Sequence, residues 1–227
     1  MSASPERAIA SVSRVARAAR SFVFARHAES RANTAHVLSS NPARQSGLTE
    51  LGARQARLLG EQLAHFPIDQ AVCTRFLRTR QTVDIALRGR SAPLLVEPYL
   101  DEVDAGVFDG APIASYWTWK EQHRSNEAFP EGESLDDALR RYAAALWRLL
   151  QRDERVTLVV CHELALRHII AAAGGADSSV AGTEVAHAIP YLFHEQALRR
   201  AVAGLEALTC ASHEPGVRER AARPACL

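Results

Sequence analysis

The chain has 227 residues, of which 47% are hydrophobic and 23% are charged, and its formal net charge is +1 at pH 7. These values are ordinary for a soluble globular protein with one sizeable core or at most two small ones. A net charge near zero argues against nucleic acid or an anionic membrane surface as a partner, and no stretch approaches the length of a membrane span.

The first twenty residues combine four arginines with alanines and serines. This composition occurs in organellar transit peptides, whereas a secretory signal would need an apolar core after the charges, and none follows. We favour an N-terminal extension, residues 1–20, that is not tied to the fold.

Four cysteines are scattered along the chain without the spacing of metal ligands. Cys73 and Cys161 end apolar runs, so we expect them to be buried free thiols in a reducing environment. The cysteine usage therefore favours a cytoplasmic protein.

A continuously apolar run from Phe22 to Ala25 stops at Arg26 and His27. Such a run predicts a short strand buried on both faces, and a polar segment able to open a helix follows it. Ligands of open α/β sheets bind outside the carboxyl ends of the strands, which is where the Arg-His pair would lie.

The middle of the chain alternates between helical and strand-like patterns. Thr49 can cap a helix that runs to about His65, with four leucines on its inner side: Leu51, Leu58, Leu59 and Leu63. A strand at 71–73, an Arg-rich helix at about 76–87, a strand at 94–97 and an acidic, Gly-containing loop at 100–110 follow in turn.

Residues 116–119 open a short helix, residues 129–132 form a turn, and Ser134 can cap the clearest helix of the chain. A second buried-strand run, Val156 to Cys161, also ends on a histidine, His162, and the helix after it ends at a Gly174–Gly175 pair. The sequence of residues 185–211 is compatible with one or two edge strands and a short helix.

This alternation predicts an α/β fold of three layers, with a mainly parallel central sheet between two layers of helices. No repeat, linker or composition break divides the chain, so we expect one domain at 21–212 and a C-terminal tail at 213–227. Polar residues that follow different strands can then meet in one crevice: Arg26, His27, the 74–78 segment, Glu102 and His162.

Six phrases of the sequence occur in the order typical of one known family. They are Arg26-His27-Ala28-Glu29-Ser30 with Asn33, the segments 48–52, 77–82, 100–110 and 130–134, and His162. Together they resemble the motifs of the histidine phosphatase superfamily, which has the phosphoglycerate mutase-like fold, and they span about Phe22 to Arg167.

The resemblance implies that His27 is a nucleophile that forms a phosphohistidine and that Glu102 is the proton donor. Arg26, Arg78 and His162 would hold the phosphate, and Asn33 would assist. A neutral imidazole can attack phosphorus if its other nitrogen keeps a proton on an acceptor, and nearby guanidinium groups disfavour the imidazolium. Burial near a bound phosphate should raise the pKa of Glu102.

Two arginines and a histidine can neutralise the transferring phosphoryl group, so the resemblance implies catalysis with no metal and no other cofactor. Structural explanations stay open for each residue. Arg78 could pair with a surface carboxylate, Glu102 could close the acidic loop, and His162 could be a hydrogen-bonded core histidine.

Two residues depart from the family pattern. Ala28 stands where a glycine is usual, which matters only if the backbone there needs a positive φ. Glu163 replaces a glycine after His162 and places a carboxylate beside the expected phosphate pocket, where it could point inward or outward.

The resemblance is to the phosphatase branch, because only about sixty residues separate Glu102 from His162, whereas the mutases carry a longer insertion there. We expect a phosphoric monoester hydrolase of the histidine acid phosphatase type, acting on a small phosphorylated metabolite, with residues 113–129 as a lid. The alternatives are a catalytically weak binder of phosphorylated ligands and a phosphoglycerate mutase-type phosphotransferase.

Overall fold

The computed structural model describes residues 20–174 and 184–211. Of the predicted N-terminal extension only Arg20 lies within these ranges, and the predicted C-terminal tail lies outside them. Among the residues described, no helix is both long and apolar enough to cross a bilayer.

The elements alternate along the chain as the sequence predicts. In chain order they are β1 (Ser21–Arg26), α1 (Arg31–Thr34), α2 (Glu50–Gln62), β2 (Gln70–Cys73), α3 (Leu77–Ala86), β3 (Leu94–Val96), α4 (Ile113–Gln122), α5 (Leu135–Leu150), β4 (Val156–Cys161), α6 (Glu163–Gly174), β5 (Pro190–His194) and α7 (Glu195–Ala211). Two 3-10 turns, Pro98–Leu100 and Gly106–Phe108, shape the acidic loop after β3.

The five described strands form one sheet in the order β3-β2-β4-β1-β5. Four strands are parallel, and β5 pairs with β1 in the antiparallel direction. In the β1–β4 register Arg26 lies opposite Cys161, and the His27 amide donates to the Cys161 carbonyl over 2.9 Å. The two histidines that follow these strands therefore leave the sheet side by side at the same edge.

The central strands are buried on both faces, and their side chains alternate between two cores. Phe22 and Phe24 pack in a cluster with α5, α6 and α7, whereas Val23 and Ala25 pack with α2 and α3. The predicted three-layer α/β/α fold is confirmed, and so is the burial of Cys73 and Cys161 as free thiols.

Hydroxyl caps begin two of the predicted helices. Ser134 Oγ accepts from the Asp137 amide, while the Asp137 carboxylate accepts from the Ser134 amide, so α5 begins with a reciprocal capping box. Thr49 Oγ1 accepts from the Gly52 amide at the start of α2. Both caps confirm the helix starts that the sequence predicts.

The predicted inner face of α2 is half wrong. Leu59 and Leu63 are fully buried, but Leu51 and Leu58 are 43% and 54% exposed. The buried positions of the helix are Gly52, Ala56 and Leu59. Leu51 and Leu58 each precede a buried position by one residue, a rotation of about 100° that turns them toward solvent.

Gly52 makes this orientation of α2 possible. A Cβ at this position would lie 2.0 Å from the Glu29 carbonyl oxygen, so only glycine lets the first turn of α2 approach the segment that follows β1 so closely.

The C-terminal region has the predicted edge strand but differs from the prediction in the length of its helix. It contains one described strand, β5, at the sheet edge and a helix of 17 residues where a short one was expected. Leu198, Ala201 and Leu205 of α7 are fully buried against the α5 and α6 layer. Tertiary burial of this apolar stripe accounts for the longer helix.

The neighbouring leucines Leu58 and Leu59 give a matched test of the α2 orientation. We expect Leu59→Ala to lower the free energy of unfolding by about 2–5 kcal/mol, because it leaves a cavity in a fully buried cluster. Leu58→Ala removes the same atoms from an exposed position and should cost less than about 0.5 kcal/mol. Urea unfolding of the two variants measures both values, and equal losses would contradict this orientation.

Candidate active site

Two buried histidines lie at the carboxyl edge of the sheet. His27 follows β1 and His162 follows β4, and their exposed fractions are 3% and 0%. Their ring centroids are 5.3 Å apart. The structure therefore brings together the two histidines that the sequence predicts to meet.

The guanidinium of Arg78, on the first turn of α3, lies between the two imidazoles. Its Nε donates to His27 Nε2 over 3.0 Å, and its Nη2 donates to His162 Nδ1 over 3.2 Å. Nη1 and Nη2 also donate to the hydroxyl and the carbonyl of Ser39, each over 2.9 Å. Arg78 is 3% exposed, and within the described part of the chain its hydrogen bonds go to the two histidines and Ser39 and not to a surface carboxylate.

The hydrogen bonds of His27 select one tautomer. Because Arg78 donates to Nε2, that nitrogen carries the lone pair and the ring proton resides on Nδ1. Nδ1 donates to the carbonyl of Ala28 over 2.8 Å. Ala28 does not have a positive φ, and its amide donates to the Thr82 hydroxyl over 3.0 Å, so the departure from glycine is accommodated without strain.

His162 is held in the opposite tautomer. Its Nδ1 accepts from Arg78, so Nε2 carries the proton and donates to the Thr74 hydroxyl over 2.9 Å. The Thr74 hydroxyl lies 2.9 Å from that of Thr79, which donates to the Phe76 carbonyl over 2.8 Å. This series of hydrogen bonds leaves the unprotonated Nδ1 of His162 facing Arg78 and the site.

The surroundings of both imidazoles favour the neutral form. Burial lowers the pKa of His27 well below its usual value, and the positive charge of Arg78 adds to the shift. The same two causes, in the same order, lower the pKa of His162. Burial also lowers the pKa of Arg78 to about 10, which leaves the guanidinium charged at neutral pH.

Glu102 approaches the histidines from the acidic loop. Its Oε2 lies 4.0 Å from His162 Nδ1, and its Oε1 accepts from the Val103 amide over 3.1 Å. Burial raises the pKa of Glu102, and the charge of Arg78 partly opposes the shift. The carboxyl group thus faces the site and does not merely close the loop.

Arg141 of α5 positions this loop. It donates to the carbonyl oxygens of Asp101 over 2.7 Å and Glu102 over 2.9 Å, and it pairs with Glu133. Gly106, with φ of 53°, brings the loop against the turn at 129–132, where a Cβ would lie 2.0 Å from the Pro130 carbonyl oxygen. The segment at 130–134 therefore supports the loop that carries Glu102.

Arg26 and Glu163 form an ion pair beside the histidines. Arg26 Nη1 lies 3.0 Å from Glu163 Oε2 and donates to the Val185 carbonyl over 2.8 Å. Glu163 also pairs with Arg167 one turn further along α6. The sequence left open whether Glu163 points inward or outward. In the structure its carboxylate turns toward Arg26.

Asn33 makes its described side-chain contacts within α1. Its Oδ1 accepts from the amide and the hydroxyl of Ser30, over 3.0 and 2.7 Å, which closes the start of this short helix. The amide nitrogen is the part of Asn33 that remains for a ligand, and a phosphate-assisting role stays a prediction.

The aromatic residues of the predicted lid pack on one another. Tyr116 stacks on Phe129 at a centroid distance of 5.4 Å, and Trp119 lies 4.2 Å from the same ring. Trp117 contacts Tyr116 edge-on at 5.0 Å. These contacts give the aromatic residues a packing role, and the movement of the segment as a lid stays a prediction.

Sequence reasoning missed three residues that shape the site: Ser39, Arg141 and His187. His187 Nδ1 donates to the His27 carbonyl over 2.8 Å, and its ring centroid lies 5.5 Å from that of His27. Each of the three comes from a loop, a helix or an edge segment with no local motif. Only an alignment of relatives would have signalled them.

Within the ranges that the structure describes, no group of three or more histidine, cysteine, aspartate or glutamate residues is arranged to hold a metal ion. Catalysis without a metal stays a prediction.

A family model described as "Histidine phosphatase superfamily (branch 1)" matches residues 22–185. The chain belongs to this superfamily. The site described above contains residues from the motifs that the sequence shares with the family.

Curated relatives include "Probable phosphoglycerate mutase GpmB" of Yersinia pestis and of Yersinia pseudotuberculosis. Each is 32% identical over 149 residues, which cover 62% of this chain and 68% of the relative.

Solved structures of similar fold include the alpha-ribazole phosphatase of Shigella flexneri, with a TM-score of 0.67 and 23% identity over 76% of this chain and 89% of that one. The mycobacterial glucosyl-3-phosphoglycerate phosphatase has a TM-score of 0.63 and 19% identity over 78% and 90% of the two chains. At these identities the likeness establishes the fold alone.

The lowered pKa values of the site histidines predict a response to acid. In an NMR titration we expect the imidazoles of His27 and His162 to remain neutral at pH 6, about half a unit below the pKa of free histidine. The folded state then binds fewer protons than the unfolded state, so these two groups stabilise the fold fully above about pH 6.5 and progressively less below it. A titration midpoint at or above about 6.5 for either ring would contradict this assignment.

Proposed function

We propose that this protein is a phosphomonoesterase that hydrolyses a small phosphorylated metabolite through a phosphohistidine on His27, without a metal ion. The observation that carries the proposal is the lone pair on His27 Nε2, which faces the Arg78 guanidinium while Nδ1 donates to the Ala28 carbonyl. An imidazole so oriented is a nucleophile that needs no prior deprotonation.

In the first step His27 Nε2 attacks the phosphorus atom, and the bond between phosphorus and the ester oxygen breaks. Arg78 would move its hydrogen bond from His27 to a phosphoryl oxygen as the substrate enters. Arg26 would add a second guanidinium and Asn33 Nδ2 a further donor. His162 would bind a phosphoryl oxygen only after its proton moves from Nε2 to Nδ1, because Nδ1 carries a lone pair while it accepts from Arg78. In a crevice with little water, these groups stabilise the charge of the transferring group.

Glu102 is proposed to supply the proton that the leaving alkoxide needs. Its raised pKa, which results mainly from burial, favours the protonated carboxyl group that this step requires. The resulting carboxylate then takes a proton from the water molecule that attacks the phosphohistidine. That attack breaks the bond between nitrogen and phosphorus, releases inorganic phosphate, and restores both residues.

The alternative of a phosphoglycerate mutase-type phosphotransferase is favoured by the name of the curated relatives. In that reaction a substrate hydroxyl, and not water, would take the phosphoryl group from His27. The short segment between Glu102 and His162 supports the phosphatase, because it leaves less chain to cover the phosphohistidine. Incubation with 3-phosphoglycerate separates the two, since a mutase moves phosphate between hydroxyls without releasing it.

A catalytically weak phosphate binder is a further alternative, because Glu163 already pairs with Arg26. Assays with p-nitrophenyl phosphate in excess EDTA over about pH 5 to 8 distinguish it from the enzyme. Turnover in EDTA supports the metal-independent phosphatase, whereas phosphate binding without any turnover supports the binder.

His27→Ala should lower turnover of p-nitrophenyl phosphate at least about a thousandfold, because no other group replaces the attacking nitrogen. The control is His65→Ala, which removes an exposed histidine near the end of α2 and should retain full activity. Circular dichroism of both variants checks the fold. A folded His27→Ala protein with half the original activity would remove His27 from the nucleophile role.

Glu102→Gln should slow poor leaving groups more than good ones, because nitrophenolate departs without a proton and an alkoxide does not. We expect hydrolysis of glycerol 3-phosphate to fall about a hundredfold and that of p-nitrophenyl phosphate much less. Glu131→Gln makes the same change at an exposed turn and serves as the control. Equal slowing of both substrates by Glu102→Gln would argue against an acid role.

A further inference from the structure

The ion pair between Glu163 and Arg26 places an anion where a phosphoryl group would bind. Arg26 is 6% exposed, and its Nη1 lies 3.0 Å from Glu163 Oε2. Among the residues that the structure describes, its buried Nε has no hydrogen-bond partner, so the guanidinium retains a donor that these residues do not use. A ligand that binds Arg26 therefore competes with, or must lie next to, the Glu163 carboxylate.

Glu163 has little freedom to leave this position. It is the first residue of α6 and directly follows the fully buried His162. Its two carboxylate oxygens have separate partners, because Oε2 faces Arg26 and Oε1 pairs with Arg167. When a phosphoryl group takes Arg26, the bond to Arg167 keeps the carboxylate at the pocket edge.

The Glu163 carboxylate is close enough to Glu102, the proposed acid, for their charges to interact. Burial raises the pKa of Glu102, and the negative charge of Glu163 adds to that shift. Burial also raises the pKa of Tyr116, with further contributions from Glu102 and Glu163. In the proposed reaction Glu102 protonates the leaving oxygen, so the alcohol portion of the ester would lie near Glu102, and Glu163 is a second carboxyl group whose charge reaches that position.

We propose that Glu163 is a specificity-determining residue that selects phosphomonoesters by the charge of their alcohol portion. It accepts hydrogen bonds from hydroxyl groups next to the phosphoryl group and repels a carboxylate placed there. It also lowers the affinity of the site for inorganic phosphate, because phosphate must share Arg26 with it. The inference deepens the proposed function and rests on it for the identity of the reacting group.

Two three-carbon compounds of nearly equal size test the selection. Glycerol 3-phosphate carries a hydroxymethyl group where 3-phosphoglycerate carries a carboxylate. In the unmodified protein we expect kcat/KM for glycerol 3-phosphate to exceed that for 3-phosphoglycerate. Glu163→Gln should lower this ratio on the order of tenfold, because it removes the repelling charge and keeps the side-chain shape. Glu163→Ala should also lower this ratio.

Glu184→Gln is the matched control. Glu184 lies 3.6 Å from the same Arg26 nitrogen, but its side chain is 65% exposed and its charge is screened by water. Glu184→Gln should change the ratio of the two kcat/KM values less than about twofold. An unchanged ratio in Glu163→Gln, or an equal change in Glu184→Gln, would overturn the selective role of Glu163.

Binding of inorganic phosphate by calorimetry gives a second readout that needs no turnover. We expect Glu163→Gln to bind phosphate on the order of tenfold more tightly than the unmodified protein, and no tightening would contradict the inference. If neither ester is hydrolysed, the proposed function fails, and the dissociation constants of the same two esters still decide whether Glu163 discriminates between them.

Discussion

The site depends on one buried guanidinium that donates hydrogen bonds to two imidazoles. Arg78 binds His27 Nε2 and His162 Nδ1 at once, and each bond requires a lone pair on the nitrogen that receives it. One cation therefore selects the tautomers of both histidines. Its charge, added to burial, also keeps them neutral, which is the protonation state that nucleophilic attack on phosphorus requires.

A charged group in a buried position is costly unless it is hydrogen-bonded on all sides, and the fold meets this requirement from several distant segments. Ser39, from the loop after α1, provides a hydroxyl and a carbonyl to Arg78. Arg141 similarly binds carbonyl oxygens of the loop that carries Glu102 while pairing with Glu133. The two arginines have different positions, since Arg78 contacts the two histidines and Arg141 holds the loop that carries Glu102.

The pairing of Arg26 with Glu163 distinguishes this site from one built only to attract phosphate. A pocket with two arginines and no carboxylate would bind every phosphorylated compound, and its own product, more strongly than hydrolysis requires. In the proposed selective role, the carboxylate that is held between Arg26 and Arg167 weakens that general attraction. Under that proposal, affinity comes from the alcohol portion of the substrate, which is one way for a site on a widely shared fold to become selective.

The sequence alone determined the layers and the edge of the sheet at which the site lies. Continuous apolar runs ending at His27 and His162 predicted two buried parallel strands, and parallel strands end at the same edge. The resemblance to the histidine phosphatase motifs also predicted Arg78 and Glu102 as site residues, and the predicted strands place both of them after strand ends. The prediction of the inner face of α2 was only half correct, since Leu51 and Leu58 fit a helical pattern but do not face the core.

Only the tertiary structure decided which atoms meet. The direction of the Glu163 carboxylate, the tautomers of the two histidines and the contacts of Ser39, Arg141 and His187 depend on segments separated by many residues in the chain. Hydrophobic periodicity reports on burial, which is a property of one element and its face. Hydrogen-bond partners depend on distances between elements, and no pattern within one segment encodes them.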